Sequence, residues 1–126
     1  MHSKPILIAL NESYQALVRI LLPEGILDYF ELTKVVEAIP GLNIYLEEKN
    51  IAPVEYKDEK LESKGFLAEI YIQDFPIRNQ KVTLCIKRRR WEVKDNSEIV
   101  TRDWKVVQQG TRMTKEFADF LKDMYR

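Results

Sequence analysis

The sequence predicts an α+β fold: an antiparallel sheet of about five strands, or two short sheets, with an N-terminal helix and a C-terminal helix. Three observations carry this. Apolar residues recur at spacings of three and four near both ends of the chain. Between those ends, apolar and polar residues alternate with the two-residue period of half-buried strands. Clusters rich in Pro, Gly, Asn and Asp separate the alternating runs.

Tyr14, Leu17, Val18, Leu21 and Leu22 predict a helix over residues 12–22. Ile6, Leu7 and Leu10 continue its stripe, so it can begin as early as Lys4, and Pro23-Glu24-Gly25 stops it. Strands are predicted over 27–32 and 42–47, joined as a hairpin across Pro40-Gly41. In the second of these, Leu42, Ile44 and Leu46 alternate with Asn43, Tyr45 and Glu47. Residues 48–65 are polar and aperiodic, a loop with room for one short helical turn. A third strand follows over 68–73, then a turn at Phe75–Gln80, then a fourth strand over 81–93 with Val82, Leu84 and Ile86 on one face. Lys94-Asp95-Asn96-Ser97 is a turn cluster, and residues 98–107 form the fifth strand. Thr114 is a suitable N-cap for the final helix. Glu116 sits in its first turn, where the helix dipole favours an anion, and Phe117, Phe120, Leu121 and Met124 form its stripe.

At 126 residues the chain is sized for one domain, 1–126, and no repeat divides it. No apolar run reaches the ~20 residues of a membrane span. The short apolar start lacks a signal-peptide cleavage site, and a single cysteine excludes an internal disulfide; both lead to the expectation of a cytoplasmic chain with no membrane partner. The formal net charge of zero conceals an asymmetry. Residues 1–77 carry seven Lys or Arg against 13 Asp or Glu, and residues 78–126 carry 13 against seven. Either the fold keeps these halves apart, with one face for a polyanion, or it interleaves them and cancels the field.

The basic half contains Lys87-Arg88-Arg89-Arg90, four consecutive cations ending in Trp91. Along a strand, Lys87 and Arg89 point one way and Arg88 and Arg90 the other, so one buried face cannot hide all four. Arg102 and Lys105 join them if residues 94–97 close a hairpin, and Arg112 and Lys115 follow at the mouth of the last helix, whose free N–H groups suit a phosphate. Lys87, Arg88, Arg89, Arg90, Arg102, Lys105 and Arg112 are therefore the candidate DNA-binding residues. The competing reading is a solvated cationic edge that prevents strand-to-strand aggregation. Trp91 and Trp104 are either core residues or stacking platforms.

Catalytic chemistry is poorly supplied. One histidine, His2, and one cysteine, Cys85, cannot make a four-ligand zinc site, and no Ser-His or Cys-His pair or Gly-rich phosphate loop is present. Asp74 and Glu69 are the nearest approach to a Mg²⁺ pair, but their separation sends them to opposite faces of a strand. Asp74 is better suited to ordering the turn that follows it. No catalytic residue, metal site or cofactor is expected.

The ordered segments Ile72-Gln73-Asp74-Phe75-Pro76-Ile77, Val82-x-Leu84-x-Ile86 and Arg88-Arg89-Arg90-Trp91 resemble the zinc-ribbon N-terminal region of bacterial insertion-sequence transposases. A fuller match is to the N-region protein of ISAon-type elements. It takes in Leu21 to Phe30, Tyr45 to Lys49, and Arg102-Asp103-Trp104 through Gln109 to Thr114, and so spans nearly the whole chain. The resemblance implies a β unit like a zinc ribbon, and two departures qualify it. The knuckle cysteines are missing from residues 50–63 and from the region of Val93 and Asn96, so the unit would be degenerate and metal-free. Packing by Leu67, Ile70, Ile86, Trp91 and Trp104 would then replace a zinc contribution of ~10 kcal/mol or more. The acidic catalytic domain of those transposases is also absent. Within the single domain, residues 1–49 would hold the helix and first hairpin, and residues 66–126 the ribbon-like unit and last helix.

By this resemblance the chain is a non-catalytic DNA-binding accessory or N-terminal module of an insertion-sequence transposase. Its partners would be DNA at the element's ends and a catalytic transposase subunit. The alternative is a protein-interaction module whose acidic half, with Glu47, Glu48, Glu55, Glu59 and Glu62, docks on that subunit without touching DNA. Mg²⁺-dependent cleavage through Asp74 is a third reading.

Overall fold

The computed structural model describes residues 3–38, 41–102 and 113–125, with residues 3–10 as backbone alone. The fold is α+β. Helix α1 covers Ser3–Leu21, a single turn α2 covers Ile26–Tyr29, and the strands are β1 (Phe30–Ala38), β2 (Gly41–Glu48), β3 (Leu61–Phe66), β4 (Ile70–Ile77), β5 (Gln80–Lys87), β6 (Arg89–Val93) and β7 (Ile99–Val100). A 3₁₀ turn at Val54–Tyr56 lies between β2 and β3, and helix α3 covers Lys115–Met124.

The strands form two sheets, one ordered β1-β2-β5-β4 and one ordered β3-β6-β7. In the larger sheet β1 and β2 form the expected antiparallel hairpin, closing at Ala38 opposite Gly41, and β4 and β5 form a second one. The two hairpins meet through a parallel seam, β2 against β5. The sheet is therefore mixed, not purely antiparallel. At the start of this seam the backbones approach closely: a Cβ added at Gly41 would run into the Lys81 carbonyl oxygen. Only glycine fits there.

One face of the larger sheet is the core. Ile44, Leu46, Ile72, Val82, Leu84 and Ile86 are buried on it, and Leu22, Ile26 and Phe30 close over them. The alternating parity read from the sequence is what builds this layer. Cys85 faces the opposite side and is also buried, as a small filler between neighbouring strands.

Several elements differ from the sequence reading. The strand expected at 27–32 starts only at Phe30, because Gly25 in the left-handed region (φ 81°) turns the chain and the Asp28 N–H donates to the Gly25 carbonyl. The turn after β4 is tighter than Phe75–Gln80. Pro76 and Ile77 remain in the strand, and Arg78 and Asn79 make a two-residue turn with φ of 52° and 65°. Strand β3 lies partly within the segment read as loop. The fourth strand, expected as one run over 81–93, is two strands in two sheets. It breaks at Arg88, whose carbonyl accepts from the Leu67 N–H, and the next N–H, of Arg89, donates to the Glu48 side chain. In the region expected as the fifth strand the ladder covers Ile99–Val100, and residues 103–107 lie outside the described residues.

The final helix starts where its cap predicts. The Thr114 Oγ1 accepts from the Phe117 N–H at 3.4 Å, and the Thr114 N–H donates to the Gln73 carbonyl on β4. The Phe75 ring packs tilted against Phe117 and edge-on against Phe120, which fixes α3 beside the sheet. Among the described residues no helix is long and apolar enough to cross a membrane.

Candidate interface at the junction of the two sheets

The four-cation run sits where β5 of the larger sheet passes into β6 of the smaller one. Two strand registers determine its surroundings. The parallel seam sets Glu47 beside Lys87, and the β3–β6 ladder sets Ser63 opposite Trp91 and Glu62 opposite Glu92. At Glu47–Lys87 a carboxylate of the acidic half lies directly against a cation of the basic half, and at Glu62–Glu92 two carboxylates face each other. Here the fold interleaves the two halves, and the local field is mixed.

The node of the junction is Glu48. Its side chain continues the inward parity of Leu42, Ile44 and Leu46 and is 1% exposed. One carboxylate oxygen accepts the Arg89 backbone N–H at 2.9 Å. The other accepts the Trp91 indole N–H at 2.7 Å and the Arg102 Nε–H at 3.2 Å. A buried carboxylate is costly unless its lone pairs are filled, and here three donors, one of them cationic, fill them. The Glu48 backbone carbonyl also takes part, accepting the Arg89 Nε–H at 2.9 Å.

This arrangement corrects part of the expected DNA surface. Arg102 is 6% exposed, its guanidinium bonded to Glu48 and to the Ile51 carbonyl and lying 4.3 Å over the Tyr29 ring. Arg102 holds the β2 end to the smaller sheet and cannot reach a phosphate. Arg89 is half-buried: besides Glu48 it donates to the Ser63 hydroxyl at 2.8 Å and covers the Phe66 ring at 4.8 Å. It too is committed within the chain. Trp91, 2% exposed with its N–H engaged, is a core residue and not a stacking platform.

The other candidates differ. Lys87 is partly exposed and 3.8 Å from Glu47, a surface pair of small energetic value. Arg90 is exposed on the outer face of β6, where its strand neighbour Glu92 faces Glu62, itself paired with Lys64. Arg88 is half-buried, and its Nε is a buried donor with no hydrogen-bond partner among the described residues. Lys105, Arg112 and Trp104 lie outside the described residues.

The mouth of α3 also differs from expectation. One of its first-turn N–H groups, that of Phe117, is taken by the Thr114 hydroxyl, which in turn donates to the Asp74 carboxylate at 2.8 Å and so sets a carboxylate beside the helix start. Asp74 therefore clamps the helix cap to β4, where the sequence suggested it would order the following turn. Burial pushes its carboxyl above the usual range, opposed by hydrogen bonds from Thr114 and the Phe75 N–H, with nearby Glu116 adding to the rise. Lys115 pairs with Asp119 one turn along. Glu69 lies with Tyr71 and Cys85 on the sheet face opposite Asp74. Among the described residues no three His, Cys, Asp or Glu side chains gather as a metal site.

Glu48 was the residue that sequence reasoning assigned to a solvated acidic docking face. Its signal was present: it occupies the apolar parity of an alternating strand, where a carboxylate belongs only if donors await it. Comparison with known proteins finds no matching family model, no matching curated protein and no matching solved structure.

Proposed function

We infer that the chain is a non-catalytic accessory module of an insertion-sequence transposase, and that it works mainly by docking on protein, its partner being the catalytic subunit. The transposase context rests on the ordered motifs described above. The protein-docking mode rests on one observation: the Glu48 carboxylate, with the backbone around it, draws Arg89 and Arg102 inward, so two of the expected phosphate contacts serve the fold instead.

The test is co-expression with the catalytic subunit from the adjoining reading frame, followed by tandem purification and a gel shift on the element's terminal repeat. A stable one-step complex without a shift of the isolated module supports this reading. A submicromolar shift whose log K falls by roughly five per tenfold rise in salt, as six phosphate contacts require, overturns it.

A second reading keeps DNA contact, supported by the exposed Arg90 and the half-buried Arg88 beside Lys87. Three such contacts give a salt slope of only about three. Arg88→Ala with Arg90→Ala should then abolish binding, while Lys122→Ala, on α3, leaves it unchanged.

A further inference from the structure

The larger apolar stripe of α1 points away from the body of the protein. The helix meets the core through Val18, with Leu22 just past its end. Tyr14, Leu17, Ile20 and Leu21 are instead 62%, 53%, 78% and 47% exposed. At about 100° per residue, Tyr14, Leu17 and Leu21 fall on one narrow stripe roughly a quarter-turn from Val18 and Leu22, with Ile20 on its flank.

The spacing of this stripe specifies what covers it. Tyr14, Leu17 and Leu21 are separated by three and then four positions, and the sequence extends the same alternation back through Leu10 and Leu7. Leu7, Leu10, Tyr14, Leu17 and Leu21 give two heptads of the three-four alternation that seams paired helices, and Val18 and Leu22 broaden the stripe on the side of the sheet. The occupant is therefore another helix.

The flanking positions identify which helix. Between Asn11 and Leu21 the residues bordering the seam are Asn11, Ser13, Val18 and Ile20, none of them charged. Two identical seams can meet with no like charges opposed, and no charge is present to select a different partner. The charges of this stretch, Glu12 and Arg19, lie off the seam and balance each other, so a surface of anionic lipid gains little. Fully covered in two copies, the exposed parts of these four residues would come to at most about 1,000 Å², the lower limit for a specific protein interface.

We propose that α1 is a self-association helix, pairing with α1 of a second copy through Tyr14, Leu17, Ile20 and Leu21 in a two-fold contact. This surface is separate from the sheet junction and stands whether or not the catalytic-subunit reading holds. A groove of about 530 Å³, bordered by Tyr14, Val18, Leu27 and Phe30, separates α1 from the body on the opposite side from the seam.

Sedimentation equilibrium of the full chain from about 1 to 500 µM tests this. The wild type should pass from one copy to two across that range. Leu17→Lys and Ile20→Lys, both at exposed positions, should each weaken dimerisation at least tenfold with unchanged circular dichroism. Glu12→Gln, off the seam, should dimerise as the wild type does. A wild type that stays monomeric throughout overturns the proposal, as do species larger than two copies, or a dimer indifferent to both lysine variants. A flotation arm with vesicles containing 30% anionic lipid completes the test: monomers that bind vesicles through the same residues assign the stripe to lipid and overturn self-pairing.

Discussion

Replacing Glu48 by Gln removes the negative charge on which Trp91, Arg102 and the Arg89 amide converge. The shape is conserved, so the cost is almost wholly electrostatic. Gln offers one acceptor oxygen where Glu offers two. If that oxygen faces Trp91 and Arg102, the new NH₂ group confronts the Arg89 N–H; if it is flipped, the NH₂ confronts both the indole and the guanidinium. Either way a buried donor goes unpaired, at about 1–3 kcal/mol. Arg102 also loses its counter-ion at a site where it is 6% exposed, and removing one partner of a buried pair costs about 3–5 kcal/mol in all. These two penalties describe overlapping losses, so the expected total is about 3–5 kcal/mol, not their sum. A urea titration reads it directly: with a slope of about 1–3 kcal/mol per molar, the midpoint should fall by more than about 1 M. Glu48→Gln combined with Arg102→Met removes both charges and should be less destabilised than the two single changes added together. A Glu48→Gln variant within about 0.5 kcal/mol of the wild type, the range of ordinary surface changes, would mean the carboxylate is solvated and would refute the junction as described.

Three further outcomes follow from local geometry. Because burial raises the Asp74 pKa, the folded state holds its proton to higher pH than the unfolded chain does, so stability from this group falls as pH rises from the ordinary carboxylate range through the raised value. The stability of the wild type minus that of Asp74→Asn, from urea melts at a series of pH values, should decline across that window; a flat difference would contradict it. Gly41→Ala drives a methyl group into the Lys81 carbonyl and should destabilise well beyond the ordinary effect of a Gly-to-Ala change, with a lowered thermal midpoint as the readout. Cys85, buried and with its thiol pKa pushed up by burial, should react with a thiol reagent only as fast as the protein opens, so reaction at the rate of a free thiol would show the sheet face to be exposed.

The elements most legible in the sequence were those fixed by local chemistry. Thr114 caps α3 because its hydroxyl meets an N–H three residues on, and the parity of Leu42, Ile44, Leu46, Val82, Leu84 and Ile86 fixes one sheet face whatever its partners are. Harder to read were features that depend on distant residues. Nothing near Arg88 breaks the run from Gln80 to Val93; the break comes from Leu67 and Glu48, which claim the hydrogen bonds on either side of it. The same distance explains the candidate site. A run of four cations looks outward-facing until a carboxylate 41 positions earlier is found inside, accepting from the Arg89 amide. The helical period of α1 was equally plain, but periodicity alone does not say which of two apolar stripes meets the body.

The parallel seam bears on how the chain assembles itself. Each hairpin joins neighbours in sequence and can close within microseconds, whereas every rung from Gly41–Lys81 to Glu47–Lys87 joins residues 40 positions apart. Such rungs must wait for the intervening chain to be brought round, an entropic toll that local turns avoid. The middle of the sheet is thus its latest part to knit. A nick in the segment after Glu48 would leave two pieces, each with its own hairpin, able to recombine along that line.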